Sequence, residues 1–98
     1  MERKINIKKY LGKFIVTRNS IIDLFSEINN LQEDSIILDF KNVDFISRSA
    51  ADEYIRNKII LMKSIKEINI DVNIMAMFYL VIEQGRLNKS LINETNQV

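Results

Sequence analysis

Ser47 and Ser49 lie in the stretch Asp39-Phe40-Lys41-Asn42-Val43-Asp44-Phe45-Ile46-Ser47-Arg48-Ser49-Ala50-Ala51-Asp52, which reads as a buried strand, a tight connection and a helix start. Ser49-Ala50-Ala51-Asp52 matches the spacing of a capping box, a hydroxyl followed three residues later by a carboxylate. Backbone amides at a helix N-terminus, with a hydroxyl among them, suit a phosphate. The spacing therefore marks Ser49, and as second choice Ser47, as the hydroxyl beside which a phosphate would sit. Arg48, Asp52, Glu53 and Asp44 stand around it as partner-binding side chains. The plainer competing role for Ser49 is that of helix cap, which contributes about 1 kcal/mol by accepting a first-turn amide.

Other chemistries find little support. The 98 residues include no histidine and no cysteine, which removes imidazole bases, thiol nucleophiles, disulfides and the usual zinc sites. Asp39, Asp44, Asp52 and Glu53 have no base partner or metal framework in the pattern. Asp39 and Asp44 flank a turn, where aspartate bonds to nearby backbone, and Asp52 and Glu53 fall in a helix's first turn, where acids are favoured. Neither an enzyme nor a cofactor or metal site is expected. An anion- or nucleotide-binding role has no glycine-rich loop to support it.

Fourteen basic and thirteen acidic residues give a formal charge of +1, far from the balance of a dedicated nucleic-acid binder. Six cations, Arg3, Lys4, Lys8, Lys9, Lys13 and Arg18, crowd the first eighteen residues, opposed only by Glu2. Lysines of this kind guard an edge strand against pairing with other chains; a phosphate-backbone or acidic-partner surface is the competing reading. Charges interrupt every short apolar stretch near the N-terminus, so no signal peptide or membrane span can be drawn and a cytoplasmic location is expected.

The elements that position the serines follow from periodicity. Ile5-Asn6-Ile7 and Phe14-Ile15-Val16 read as a hairpin turning at Gly12, which supplies a positive φ. A first helix, capped by Asn19 or Ser20, presents Ile21, Leu24, Phe25, Ile28 and Leu31 to a core. Ile36 to Phe40 is a buried strand. A second helix is expected from Ser49 to about Ile65, burying Ala51, Tyr54, Ile55, Ile59, Met62 and Ile65. Ile68 to Val72 alternates as a strand. A third helix is expected from Asn73 to Gln84, closed by Gly85 in a left-handed cap with Arg86 near the negative helix end and Leu87 in contact. Its apolar residues surround more than one face, so Phe78 and Tyr79 become candidates for self-association as a homodimer, unless a C-terminal tail bearing Leu91 and Ile92 covers them.

The expected architecture is a single α/β domain over residues 1–98, an about four-stranded mixed sheet with helices packed on it, in the order β-β-α-β-α-β-α. The strand Ile36-Ile37-Leu38-Asp39-Phe40, the segment Val43-Asp44-Phe45-Ile46-Ser47-Arg48-Ser49 entering a long helix, and Ile70-Asp71-Val72 followed by a helix ending Gly85-Arg86-Leu87 resemble the STAS domain superfamily of sulfate transporters and anti-sigma factor antagonists. The likeness is nearest to its compact STAS-like subfamily of unknown function. In the antagonists this turn reads aspartate, hydroxyl, hydroxyl, glycine, and the second hydroxyl is phosphorylated by a histidine-kinase-like ATPase. Ser47, Arg48, Ser49 and Ala50 occupy those places, so only the acceptor matches. The resemblance implies a sandwich fold and a non-enzymatic regulatory protein-interaction module, switched by phosphorylation of Ser49 by such an ATPase or serine kinase. The alternative is a constitutive homo-oligomerising or partner-binding module without a switch.

Overall fold

The computed structural model describes the backbone of residues 1–96 and the side chains of residues 1–86. Its elements are β1 (Glu2–Asn6), α1 (Ile7–Leu11), β2 (Phe14–Ile15), α2 (Arg18–Asn30), β3 (Ser35–Asp39), β4 (Phe45–Ile46), α3 (Arg48–Ile60), β5 (Ser64–Ile68) and α4 (Val72–Asn96). The five strands form two parallel sheets, one ordered β1-β3-β5 and one pairing β2 with β4. The fold is α/β, but neither the mixed sheet nor the expected element order is what the chain adopts.

The difference begins at the N-terminus. Asn6 caps a single helical turn, its Oδ1 accepting the Lys9 amide at 3.0 Å, and Ile7 is fully buried. Gly12 does take a positive φ, 86°, yet it closes that turn instead of a hairpin, its amide donating to the Lys8 carbonyl at 2.8 Å. Phe14–Ile15 is therefore carried away from β1 and lies beside Phe45–Ile46. A local pattern of two short strands and a glycine cannot distinguish these outcomes; the buried place waiting for Ile7 does. The cap of α2 is Thr17, whose Oγ1 accepts the Ser20 amide at 3.2 Å, rather than Asn19 or Ser20. The helix buries Ile21, Leu24, Phe25 and Ile28, as its period requires, with Leu31 half-buried at its C-cap.

The second boundary that moves is at the end of α3. The run Ile59-Ile60-Leu61-Met62 looks like a continuing helix, but α3 stops at Ile60 and β5 starts at Ser64, pairing Ile65 with Ile36 and Glu67 with Leu38. Ile65 thus belongs to a strand, and Ile59 and Met62, expected in the core, are 76% and 96% exposed. Asn69, at φ 57°, ends β5, and Asp71 Oδ1 accepts the Asn73 amide at 2.8 Å as α4 begins. That helix runs on through Gly85, so Gly85 is not a cap and Arg86, bonded to Glu83 at 2.5 Å, is not at a helix end. Leu87, Leu91 and Ile92 lie outside the described side chains.

One core joins these elements. Tyr54 stacks on Phe78 with ring centroids 4.7 Å apart, while Phe25 and Phe40 meet Tyr54 edge-on at 5.4 and 6.0 Å. Such pairs add directional preference to the burial of large rings. Phe78 is only 4% exposed and lies on the stripe Ile74, Phe78, Val81 that α4 turns inward. It is thus a core residue and cannot serve as an association contact; Tyr79, 65% exposed, remains on the surface. No helix among the described residues is long and apolar enough to cross a membrane.

Candidate functional site

The end of β4 delivers Ser47 to the start of α3. Its amide donates to the Ile15 carbonyl at 2.8 Å, so the β2–β4 pair sets where the helix begins. Its Oγ accepts the Ala50 amide at 3.1 Å and donates to the Val16 carbonyl at 2.5 Å. Ser47, not Ser49, is therefore the cap, and it also ties α3 to the chain that follows β2. A serine hydroxyl has one proton. Because that of Ser47 goes to Val16, the 3.3 Å contact between the two hydroxyls has Ser49 as donor. Ser49 itself is exposed in the first turn and serves no capping role.

The carboxylates expected beside the serines are engaged by cations. Arg18, the first residue of α2, places Nη1 2.9 Å from Asp52 Oδ2 and 3.4 Å from Glu53 Oε1. Arg56, one turn along α3, donates from Nε to the same Asp52 oxygen at 3.0 Å. Asn57 Nδ2 donates to Glu53 Oε2 at 2.7 Å. Partial burial pushes the Asp52 carboxyl up, but the hydrogen bond from Arg18 and the charges of Arg56 and Arg18 outweigh it, and the group is held below its usual range. The same bond to Asp52 raises Arg18 further. Asp52 is therefore bound in an ion-pair cluster and not in the capping box that its spacing suggested. Arg48 is exposed and takes part in no ion pair among the described residues.

Together Arg18, Ser47, Arg48, Ser49, Asp52 and Arg56 line a cleft of about 540 Å³ closed on one side by Val81, Gln84 and Gly85 of α4. The structure thus brings Ser47, Arg48, Ser49 and Asp52 together, with Glu53 tied in through Arg18. Asp44 is exposed on the preceding loop, its amide bonded to the Lys13 carbonyl at 2.9 Å, and does not line the cleft. Arg18 and Arg56 are the members that sequence reasoning missed as part of the site. Arg18 is separated from Asp52 by 34 positions, so no local spacing announces the pair. Arg56 follows Asp52 by four residues, a recognisable helical ion-pair spacing that could have found it.

A second carboxylate, Asp39, ends β3 and is 5% exposed. It accepts Asn69 Nδ2 at 2.9 Å and the Lys41 amide at 3.0 Å, with Lys4 Nζ at 3.4 Å. The Asn69 bond first, then the Lys41 amide, hold its pKa low against the cost of burial. This is a closed structural network at the turn. Of the N-terminal cations, Arg3 pairs with Glu33, Lys4 with Asp39 and Arg18 with Asp52 and Glu53, which leaves half of that cluster neutralised within the fold.

What the cleft can do chemically is hold an anion or present a hydroxyl. It offers Ser49 as an exposed hydroxyl, first-turn amides, and three guanidinium groups, two of which already share Asp52. Among the described residues no cluster that could hold a metal ion is found. Searches against protein-family models, curated proteins and solved structures found no match to this chain.

Proposed function

We propose that this chain is a non-enzymatic regulatory protein-interaction module, akin to anti-sigma factor antagonists of the STAS superfamily, switched by phosphorylation of Ser49 by a histidine-kinase-like ATPase or serine kinase in the cytoplasm. The observation that carries the proposal is the division of labour between the serines. Ser47 caps α3 and holds Val16, so Ser49 is exposed with its hydroxyl free of a structural duty. A kinase that modified a capping serine would have to break the helix start; modifying Ser49 breaks one 3.3 Å contact between hydroxyls.

A phosphate there would add about 1.5 to 2 negative charges and three acceptor oxygens. The helix dipole contributes only about 0.3 to 1 kcal/mol toward holding it. Arginine is the stronger partner, through charge-assisted bonds. Arg48 is available directly, whereas Arg18 and Arg56 would have to be drawn from Asp52. The modified cleft then exchanges a surface hydroxyl for a concentrated negative charge beside Asp52 and Glu53, which alters the partner it accepts without rebuilding the core.

The test is an intact-mass and phosphopeptide map of the protein isolated from its native cells or treated with a cognate kinase. One phosphate on Ser49, absent from Ser49→Ala and retained in Ser47→Ala, is the expected result. An unmodified chain in the presence of a kinase active on its own control substrate overturns the proposal.

A further inference from the structure

Two neighbouring strands end beside a group of unpaired lysines. β1 and β3 run parallel with Asn6 opposite Asp39, so both stop at the same level. The chain leaves β1 into α1, which brings Lys8 and Lys9, and leaves β3 into a turn, which brings Lys41 and Asn42. Open α/β sheets place ligands in the crevice beyond the carboxyl ends of their strands. Here Asn6, Lys8, Lys9, Lys41 and Asn42 line a hollow of about 250 Å³.

That lining carries one sign of charge: three ammonium groups, two carboxamides and no carboxylate. Among the described residues none of the three lysines takes part in an ion pair. Asp39, at the end of β3, is only 5% exposed and already engaged, its Oδ1 by the Lys41 amide and Asn69 and its Oδ2 by Lys4. Protection of the sheet edge does not explain the group either. Arg3 and Lys4 stand on β1 itself, whereas Lys8, Lys9 and Lys41 lie past the strand ends, where there is no ladder to guard. Cations gathered without a counter-charge repel one another, and a hollow lined by one sign of charge concentrates ions of the other.

The size and the carboxamides narrow the ligand. Asn6 turns its Oδ1 to the Lys9 amide at 3.0 Å, which leaves its Nδ2 as the donor it can offer. Asn42 adds a second carboxamide from a backbone at φ 64°, a conformation asparagine tolerates better than most residues. Lysine binds phosphate as a point charge, without the fixed fork of arginine. Pockets that enclose drug-sized ligands run to roughly 300 to 1,000 Å³, so this hollow suits a single phosphoryl group better than a whole nucleotide. We infer that it is a binding site for a phosphate dianion, either inorganic phosphate or the phosphoryl group of a small phosphomonoester. Lys8, Lys9 and Lys41 supply the charge and Asn6 Nδ2 a directional hydrogen bond. The site shares no lining residue with the Ser49 cleft and does not depend on modification of Ser49.

Amide chemical shifts of the full chain, followed while inorganic phosphate replaces chloride at constant ionic strength and a pH of about 8, read the binding. Saturating shifts at Asn6, Lys8, Lys9, Lys41 and Asn42 with a Kd of about 1 to 10 mM are expected. Lys8→Gln and Lys41→Gln should each weaken binding at least about fivefold. Lys13→Gln, which removes an equally unpaired lysine outside the hollow, should leave the Kd within about twofold of the parent. Glycerol 3-phosphate in place of phosphate separates the two sources: tighter binding assigns a phosphomonoester and weaker binding free phosphate, and either supports the site. Shifts that are absent, or that stay linear to about 50 mM phosphate, overturn the inference. So does equal weakening by Lys13→Gln, which would mean diffuse attraction to a lysine-rich surface.

Discussion

The two ends of α3 use the same helix in opposite ways. At its start Ala50, Ala51 and Tyr54 are buried, Ser47 closes the helix onto Val16, and Asp52 and Glu53 are bound by Arg18, Arg56 and Asn57. At its end Ile59 and Ile60 are 76% and 75% exposed, followed by Met62 at 96%. Polar residues are thus more tightly held at one end than apolar residues at the other. Burial of apolar area drives folding, so a helix that leaves isoleucines in water while fixing its carboxylates has committed its N-terminal half to the core and left its C-terminal half unsatisfied. The N-terminal half is where a rigid frame can present a modifiable hydroxyl; the C-terminal half is where a partner surface gains the most by covering apolar side chains.

Substitutions at matched positions should break or sharpen this contrast. The largest effect is expected in the aromatic core. Phe78→Ala removes a ring stacked on Tyr54 and should destabilise the chain by about 3 to 5 kcal/mol, whereas Ile59→Ala should stay within about 0.5 kcal/mol, both measured by urea unfolding. Comparable losses at the two positions would show that Ile59 is packed.

Next in size, Ser47→Ala should cost about 1 kcal/mol or somewhat more, because it removes the cap and also leaves the Val16 carbonyl without its donor. Ser49→Ala should cost only a few tenths, and thermal melts of the pair measure the difference between a structural and an available serine.

At Gly85 the expected sign reverses. Gly85→Ala should stabilise the folded chain by about 0.5 to 1 kcal/mol through helix propensity, since a Cβ there meets nothing within 4 Å. Urea unfolding of the parent and the variant measures the gain.

The ion-pair cluster should show itself in pH dependence. The folded pKa of Asp52 lies below its unfolded value, so its stabilisation is fully present above the ordinary carboxylate range and is lost as pH falls through that range toward the folded pKa. Stability curves of parent and Asp52→Asn should therefore differ at neutral pH and converge on acidification. A constant offset would mean that the carboxylate is not held by Arg18 and Arg56.

Legibility from sequence followed the range of the interactions. The inward face of α2, Ile21, Leu24, Phe25 and Ile28, and the buried strand at Ile36 and Leu38 repeat with the period of their own backbone, so they could be read directly. So could the positive φ at Gly12 and the turn bond from the Lys41 amide to Asp39, which are matters of a few neighbouring atoms. The serines at the head of α3 were legible as a helix start, but which of them caps it was not. That depends on Val16 and Ile15, more than thirty residues away in sequence. Arg18 joined the site for the same reason.

What the amino-acid order determined by itself, then, is the α/β class, the apolar stripe of α2 and the presence of two hydroxyls near a helix start, because each is written in spacing that local backbone geometry converts into structure. Tertiary structure decided that Phe14–Ile15 pairs with Phe45–Ile46, that Phe78 goes inward while Ile59 stays out, and that Ser47 is occupied while Ser49 is not. An isoleucine in a helix has no intrinsic side of the molecule, and a serine no intrinsic partner. Both are assigned only when distant segments compete for the same buried space and the same hydrogen bonds.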